Sequence, residues 1–174
     1  MVLLNSNLLD YNAQFQNFVL PNTVDDTGFD SQQDLNKDIV VVAFICNHCP
    51  YVVRIIDEFA LLAKQTKSFV DFVAISANDP DYRQEDSPEN MKIFAQEHDF
   101  VFPYLFDATQ EVAKQFSAVC TPDIFVYKKL NGKYSLLYHA RFEDLEKALY
   151  ELQEANRVSF EQLPSAGCSI KWHS

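Results

Sequence analysis

An α/β domain built on a central mixed sheet flanked by helices is predicted by three features of the sequence. Ile39 to Ile45 is an unbroken β-branched and aromatic run, the pattern of a strand covered on both faces. Val52, Val53, Ile56, Phe59, Ala60 and Ala63 then recur at helical spacing. A second apolar strand, Phe69 to Ser76, follows, so strand and helix alternate along the chain.

Taken in order, residues 1–38 are polar with isolated apolar pairs and a turn-rich patch from Pro21 to Gly28. They read as an N-terminal extension holding a hairpin, with Phe18, Val19 and Leu20 ahead of the turn. Pro50 suits the first turn of the first helix, where its missing N–H does no harm, and that helix is expected to end near Lys67. After the second strand, Ser87-Pro88-Glu89-Asn90 supplies an N-cap with proline at the first helical position. The helix it opens carries Met91, Phe94 and Ala95. Phe100, Phe102, Tyr104 and Phe106 alternate as a half-buried strand, and Thr109 is expected to cap a helix through Phe116. Ile124 to Lys128 and Tyr134 to His139 read as strands joined at the hairpin signal Asn131-Gly132. Glu143 to Asn156 closes the fold as a helix with Leu145, Ala148, Leu149 and Leu152 on one face. Residues 158–174 read as an irregular tail containing Cys168 and Trp172. The 174 residues suit one domain.

Composition narrows the function. With 48% apolar residues the chain can bury a full core, and only three glycines argue against a disordered or collagen-like chain. A net charge of −11 without any basic cluster repels a nucleic-acid backbone. The longest wholly apolar run, Ile39 to Cys46, falls far short of the roughly 20 residues a membrane helix needs. No Lys or Arg precedes Lys37, and Asn5, Ser6 and Asn7 interrupt the opening apolar residues, so no secretory signal is expected. The chain therefore reads as a cytoplasmic globule with neither nucleic acid nor membrane as partner. No Gly-rich phosphate loop is present, which removes nucleotide enzymes, and no cofactor is called for.

Four cysteines, Cys46, Cys49, Cys120 and Cys168, are too few for a disulfide scaffold of this size. Cys46-Asn47-His48-Cys49-Pro50 lies where the first buried strand turns into a helix. A thiol at a helix start faces unpaired N–H groups, and an imidazole between two cysteines further favours thiolate. Cys46 is therefore expected to be the low-pKa, attacking thiolate, with Cys49 releasing the resulting mixed disulfide. Two other readings stay open: an inert buried pair, and a metal site of Cys46, His48 and Cys49 with Cys120 or Cys168.

The segment Phe44-Ile45-Cys46-Asn47-His48-Cys49-Pro50-Tyr51-Val52 resembles the thioredoxin-like, redoxin-type branch of the alkyl hydroperoxide reductase/thiol-specific antioxidant superfamily. Further segments match that branch: Asn78-Asp79 with Glu85-Asp86-Ser87-Pro88, then Cys120-Thr121-Pro122-Asp123, then Gly167-Cys168-Ser169-Ile170-Lys171-Trp172. The match runs from about Phe15 to the C-terminus. It implies a thioredoxin-like fold with an inserted strand–helix unit, and a cis Thr121-Pro122 peptide beside the cysteine pair that shapes a substrate groove. It also implies redox-active disulfide or antioxidant chemistry. Three departures stand out. Val40 occupies the place where thioredoxins put a buried Asp, and Ala43 the place where typical peroxiredoxins put Thr. Arg141-Phe142 also runs almost directly into Glu143, without the longer loop of relatives.

The functional expectation is a thiol–disulfide oxidoreductase using Cys46, His48 and Cys49. Its substrate would be a protein or small-molecule disulfide, or a peroxide, with a thiol reductant as partner. The alternatives are a thiol-dependent peroxidase attacking peroxide with Cys46, and a metal-binding or copper-delivery module using Cys46, Cys49 and a histidine. Two readings of the remaining thiols stay open: a tail folded back on buried Ile170 and Trp172 would bring Cys168 to Cys120 as a second redox pair, while the other reading makes Cys120 a small apolar core residue and Cys168 a tail thiol. His98, His139 and His173 share no ligand spacing and read as surface or hydrogen-bonded structure. Asp79, Asp81, Glu85, Asp86 and Glu89 read as a solvated loop and helix cap.

Overall fold

The computed structural model describes residues 2–174. The chain begins with β1 (Leu3–Asn5) and the expected hairpin of β2 (Val19–Pro21) and β3 (Gly28–Asp30), followed by one helical turn, α1 (Ser31–Asp34). Then come β4 (Ile39–Phe44), α2 (Pro50–Val53), α3 (Ile56–Thr66) and β5 (Val70–Ser76). Helix α4 (Pro88–Glu97), β6 (Tyr104–Phe106), α5 (Glu111–Gln115) and β7 (Cys120–Thr121) lead to the hairpin of β8 (Asp123–Leu130) and β9 (Lys133–His139). Helix α6 (Leu145–Glu154) and β10 (Ala166–Ser169) finish the chain.

The five-stranded sheet runs β6-β5-β4-β8-β9, with β4, β5 and β6 parallel and β8 and β9 antiparallel to their neighbours. Strand β4 is its centre and is buried at every position. Its alternate residues serve two cores. Ile39, Val41 and Ala43 join Phe59, Met91, Leu145 and Leu149 on one face, while Val40, Val42 and Phe44 join Phe18, Phe29, Val112 and Phe116 on the other. Apart from Ala43, each of these side chains contributes about 1.5–3 kcal/mol by leaving water. This is why β4 needs no polar alternation in its sequence. Helix α4 and strand β6, inserted between β5 and α5, extend the parallel edge of the sheet. Asn131 and Gly132 take φ of 53° and 80°, as a tight hairpin turn requires.

Several elements differ from expectation. The first helix is broken into α2 and α3 because Ile55 N donates to Val52 O, an i→i−3 bond that tightens the turn between them. Helix α5 starts behind Gln110, not Thr109. The Gln110 side chain donates to Ala77 O at 2.7 Å and Lys171 O at 2.9 Å, which ties that residue into the body. A 3₁₀ turn, Phe142–Asp144, precedes α6. The tail is not wholly irregular: β10 lies between β1 and β7 in a small antiparallel sheet. Ile170 buries as expected, but Trp172 stays 40% exposed. Among the described residues no helix is long and apolar enough to cross a membrane.

Candidate active site

Strand β4 ends at Phe44, and Ile45 N still bonds Ile75 O at 2.9 Å, so the Cys46-Asn47-His48-Cys49 turn emerges from the middle of the sheet. Asn47 pins the turn at three points. Its backbone N–H donates to Asp86 Oδ1 (2.8 Å), its amide donates to Glu85 O (2.8 Å), and its carbonyl oxygen accepts from the Tyr104 hydroxyl (2.9 Å). Cys49 is the N-cap residue of α2 and Pro50 opens the helix, as the sequence suggests.

Thr121 faces both thiols. Cys46 Sγ lies 3.4 Å from Thr121 Oγ1, and Cys49 Sγ lies 3.3 Å from Thr121 O. The Thr121-Pro122 peptide is cis. Beyond it Asp123 is fully buried, held by His139 Nε2 at 2.7 Å and by the N–H of Val119 at 3.2 Å. His139 is therefore hydrogen-bonded structure, and His98 and His173 likewise pair with Asp57 and Asp79. A cleft of about 240 Å³ runs beside Pro122, walled by Tyr51, Arg54, Arg141, Phe142 and Pro164.

The carboxylate absent at Val40 is supplied from elsewhere. Asp86 is not part of a solvated loop: it is fully buried, because the 3₁₀ turn Gln84–Asp86 swings it under the cysteine turn. His48 Nδ1 lies 2.5 Å from Asp86 Oδ2, and Asn78 donates to the same oxygen at 2.8 Å. His48 Nε2 is buried and has no hydrogen-bond partner among the described residues. Burial pushes the Asp86 carboxyl up, but the bonds from His48, Asn78 and Asn47 outweigh it and hold the group below its ordinary value. Cys46 Sγ, a His48 ring nitrogen and an Asp86 oxygen lie within 4.8 Å of one another, so these three donors are the residues that could hold a metal ion here.

The cysteines are arranged differently from expectation. Cys168 Sγ lies 2.7 Å from Cys49 Sγ, not against Cys120. The sheet register explains this. Cys168 stands opposite Thr121 and shares its face, whereas Cys120 stands opposite Ser169 on the other face and its thiol points to Pro122 O at 3.6 Å. The expected Cys120–Cys168 pair is thereby corrected to a Cys49–Cys168 contact.

The charge is also placed differently. Cys46 and Cys49 share a hydrogen bond, and the negative charge rests on Cys49, whose thiol is lowered to about 4. The donated Cys46 S–H is the main cause, helped by hydrogen bonds from Cys168 and the Val52 N–H. Cys46 is raised well above its ordinary value by that same bond, by burial and by the Asp86 charge. Position adds to this: the helix begins at Pro50, so the Val52 N–H serves Cys49, three residues beyond the thiol assigned to the helix start from sequence. Thiolate ultraviolet absorbance should therefore already be present at neutral pH and fall only as pH drops through about 4. Cys49→Ser should remove it. Absorbance that appears only near the ordinary thiol value of about 8.5 would contradict this placement.

A cysteine pair at a strand-to-helix turn, faced by a cis-proline across a mixed five-stranded sheet, defines the thioredoxin-like class of redox folds. Within that class, the chain belongs to the AhpC/TSA family, whose family model matches residues 11–133. A structure of an uncharacterized conserved protein from Geobacillus kaustophilus is 37% identical, with a TM-score of 0.92 over 99% of this chain and 97% of that one. A hypothetical protein from Sinorhizobium meliloti is 32% identical, with a TM-score of 0.91 over 98% of each chain. A thiol-disulfide oxidoreductase from Bacteroides fragilis shares the fold at 17% identity, with a TM-score of 0.65 over 80% of this chain and 98% of that one. No match was found among curated proteins. Membership of this family marks the chain as an oxidoreductase of the redox-thiol kind, and the neighbours share its fold.

Sequence reasoning missed Asp86 as a site residue and Asn47 and Asn78 as its supports, and it brought Cys168 to Cys49 only as one choice of fourth metal ligand. A signal existed for each. All four lie in the segments that carry the family resemblance.

Proposed function

We infer that the chain is a thiol–disulfide oxidoreductase in which Cys46 and Cys49 form the exchanging pair. The observation that carries this reading is the shared hydrogen bond between the two thiols at the head of α2, with Thr121 against both. Cys46 attacks a disulfide substrate lying along the Pro122 cleft. Its proton passes to Cys49 through their hydrogen bond or to His48, which Asp86 orients. Cys49 then displaces the substrate sulfur, and a thiol reductant restores the pair.

A thiol-dependent peroxidase is the second reading. It is favoured by the family and by the complete burial of Cys46, which a small oxidant reaches more readily than a protein does. Against it, the Cys49 thiolate and the Asp86 carboxylate both oppose a standing thiolate on Cys46. Reduced protein supplied with a dithiol donor and either a small disulfide or a hydroperoxide separates the two. The expected result is faster disulfide reduction. Hydroperoxide consumption without disulfide reduction would establish the peroxidase, and tight metal binding without either activity would establish the metal-binding alternative.

A further inference from the structure

Three thiols meet at the head of α2, and Cys49 is the middle one. It shares a hydrogen bond with Cys46 on one side and lies 2.7 Å from Cys168 Sγ on the other. Cys168 reaches this place through two features of the tail. Strand β10 pairs with β7 so that Cys168 stands opposite Thr121. Its neighbour Gly167 permits the approach, because a Cβ there would sit 2.1 Å from Thr121 O, a contact no side chain tolerates. The tail is also fastened beyond β10, where Lys171 N donates to Asn78 Oδ1 at 2.9 Å. Asn78 is the residue that also donates to Asp86. Disulfide exchange between Cys46 and Cys49 does not itself call for a third thiol beside Cys49.

We propose that Cys49 is a shared disulfide partner, and that Cys168 takes over its bond from Cys46 by internal exchange. The step rests on the oxidoreductase reading and begins from the Cys46–Cys49 disulfide. That bond is made when a disulfide substrate is reduced to two thiols. The Cys168 sulfur attacks Cys49 Sγ, the Cys49–Cys168 bond forms, the Cys46–Cys49 bond breaks, and Cys46 leaves with the electron pair. Cys168 gives up its proton and Cys46 takes one up. One disulfide replaces another, so no outside oxidant or reductant is consumed. In the reduced protein the Cys49 and Cys168 sulfurs already lie 2.7 Å apart, against about 2.03–2.05 Å in a closed disulfide. The outcome is that Cys46 returns to a thiol while the protein still stores the oxidising equivalent at Cys49–Cys168.

The test is a disulfide-mapping time course. Reduced full-length protein is oxidised with limiting glutathione disulfide and quenched in acid at intervals. Free thiols are then alkylated and linked peptides identified by mass spectrometry. The expected wild-type course is early Cys46–Cys49, followed by Cys49–Cys168 growing at its expense. In Cys46→Ser protein, Cys49–Cys168 should be the internal bond; in Cys46→Ser/Cys168→Ser protein it should be lost, with Cys49 recovered as the glutathione adduct. Wild-type protein that holds only Cys46–Cys49 at every time point overturns the exchange with Cys168 while leaving the oxidoreductase reading in place. Protein that forms no internal disulfide overturns both. The wild-type course decides the matter even if the variants do not fold.

Discussion

Cys49→Ser is expected to abolish turnover, by roughly a thousandfold or more, because a residue that acts as part of a bond-forming unit cannot be partly replaced. Serine keeps the size of the side chain but cannot form a disulfide, so the substrate half stays attached to Cys46. Mass spectrometry should recover that adduct after a single exposure to substrate. The substitution has a second, opposite effect on Cys46. The bond to Cys49 is the largest cause of its raised pKa, so removing the neighbouring thiolate should lower the pH at which Cys46 reacts with an alkylating agent. Turnover that survives Cys49→Ser, or a Cys46 pH profile that does not move, would show that the two thiols do not share a proton.

Asp86→Asn should have the next largest effect, because it alters the proton path and the support of the turn together. The carboxylate accepts from Asn47 N, from Asn78 and at the His48 ring, and all three partners are buried or half-buried. An amide in its place turns one acceptor into a donor, which then faces a donor. The loss should be about 2–3 kcal/mol, the scale of hydrogen bonds to a buried charge. Its pH dependence is fixed by the direction of the shift. Asp86 is held below its ordinary value, so its stabilisation is complete above about 3.9 and is lost as pH falls through the lower folded-state value. Urea unfolding should show a gap between wild type and variant at neutral pH that closes on acidification below that point. Activity should fall by about 10²–10⁴-fold, as when a proton-transfer group is misplaced, and the pH–rate profile should change shape. A uniform drop in rate with an unchanged profile would assign Asp86 to structure alone.

Much of the architecture is legible without coordinates because it depends on local pattern. Strand β4 is apolar at every residue because both its faces are covered, and that is readable directly. Ser87 and Pro88 open α4, with Ser87 Oγ accepting from Asn90 N at 3.3 Å, by the capping rule that identified them. Asn131-Gly132 makes its turn because those residue types tolerate positive φ. Where local pattern and tertiary contact compete, the reading failed. Gln110 displaced Thr109 at the start of α5 because its side chain found two carbonyl partners, one of them in the distant tail.

The chemistry of the site divides in the same way. The sequence by itself determined that two cysteines three apart would sit at a strand-to-helix turn, since the spacing, Pro50 and the flanking periodicities are all local; the place of Thr121-Pro122 beside them, more than 70 residues on, came only with the family resemblance. Only the tertiary structure decided which carboxylate serves them, which thiol holds the charge and which third cysteine joins them. Asp86 and Cys168 lie 38 and 119 residues from the residues they meet, His48 and Cys49, and no sequence period spans such distances. Cys168 faces Cys49 because a strand's side chains alternate, so a register shift of one residue would have turned it to the face occupied by Cys120. The charge lies on Cys49 because an electrostatic preference depends on where the N–H groups and the carboxylate end up, and those positions exist only once the sheet, the 3₁₀ turn and the tail have packed together.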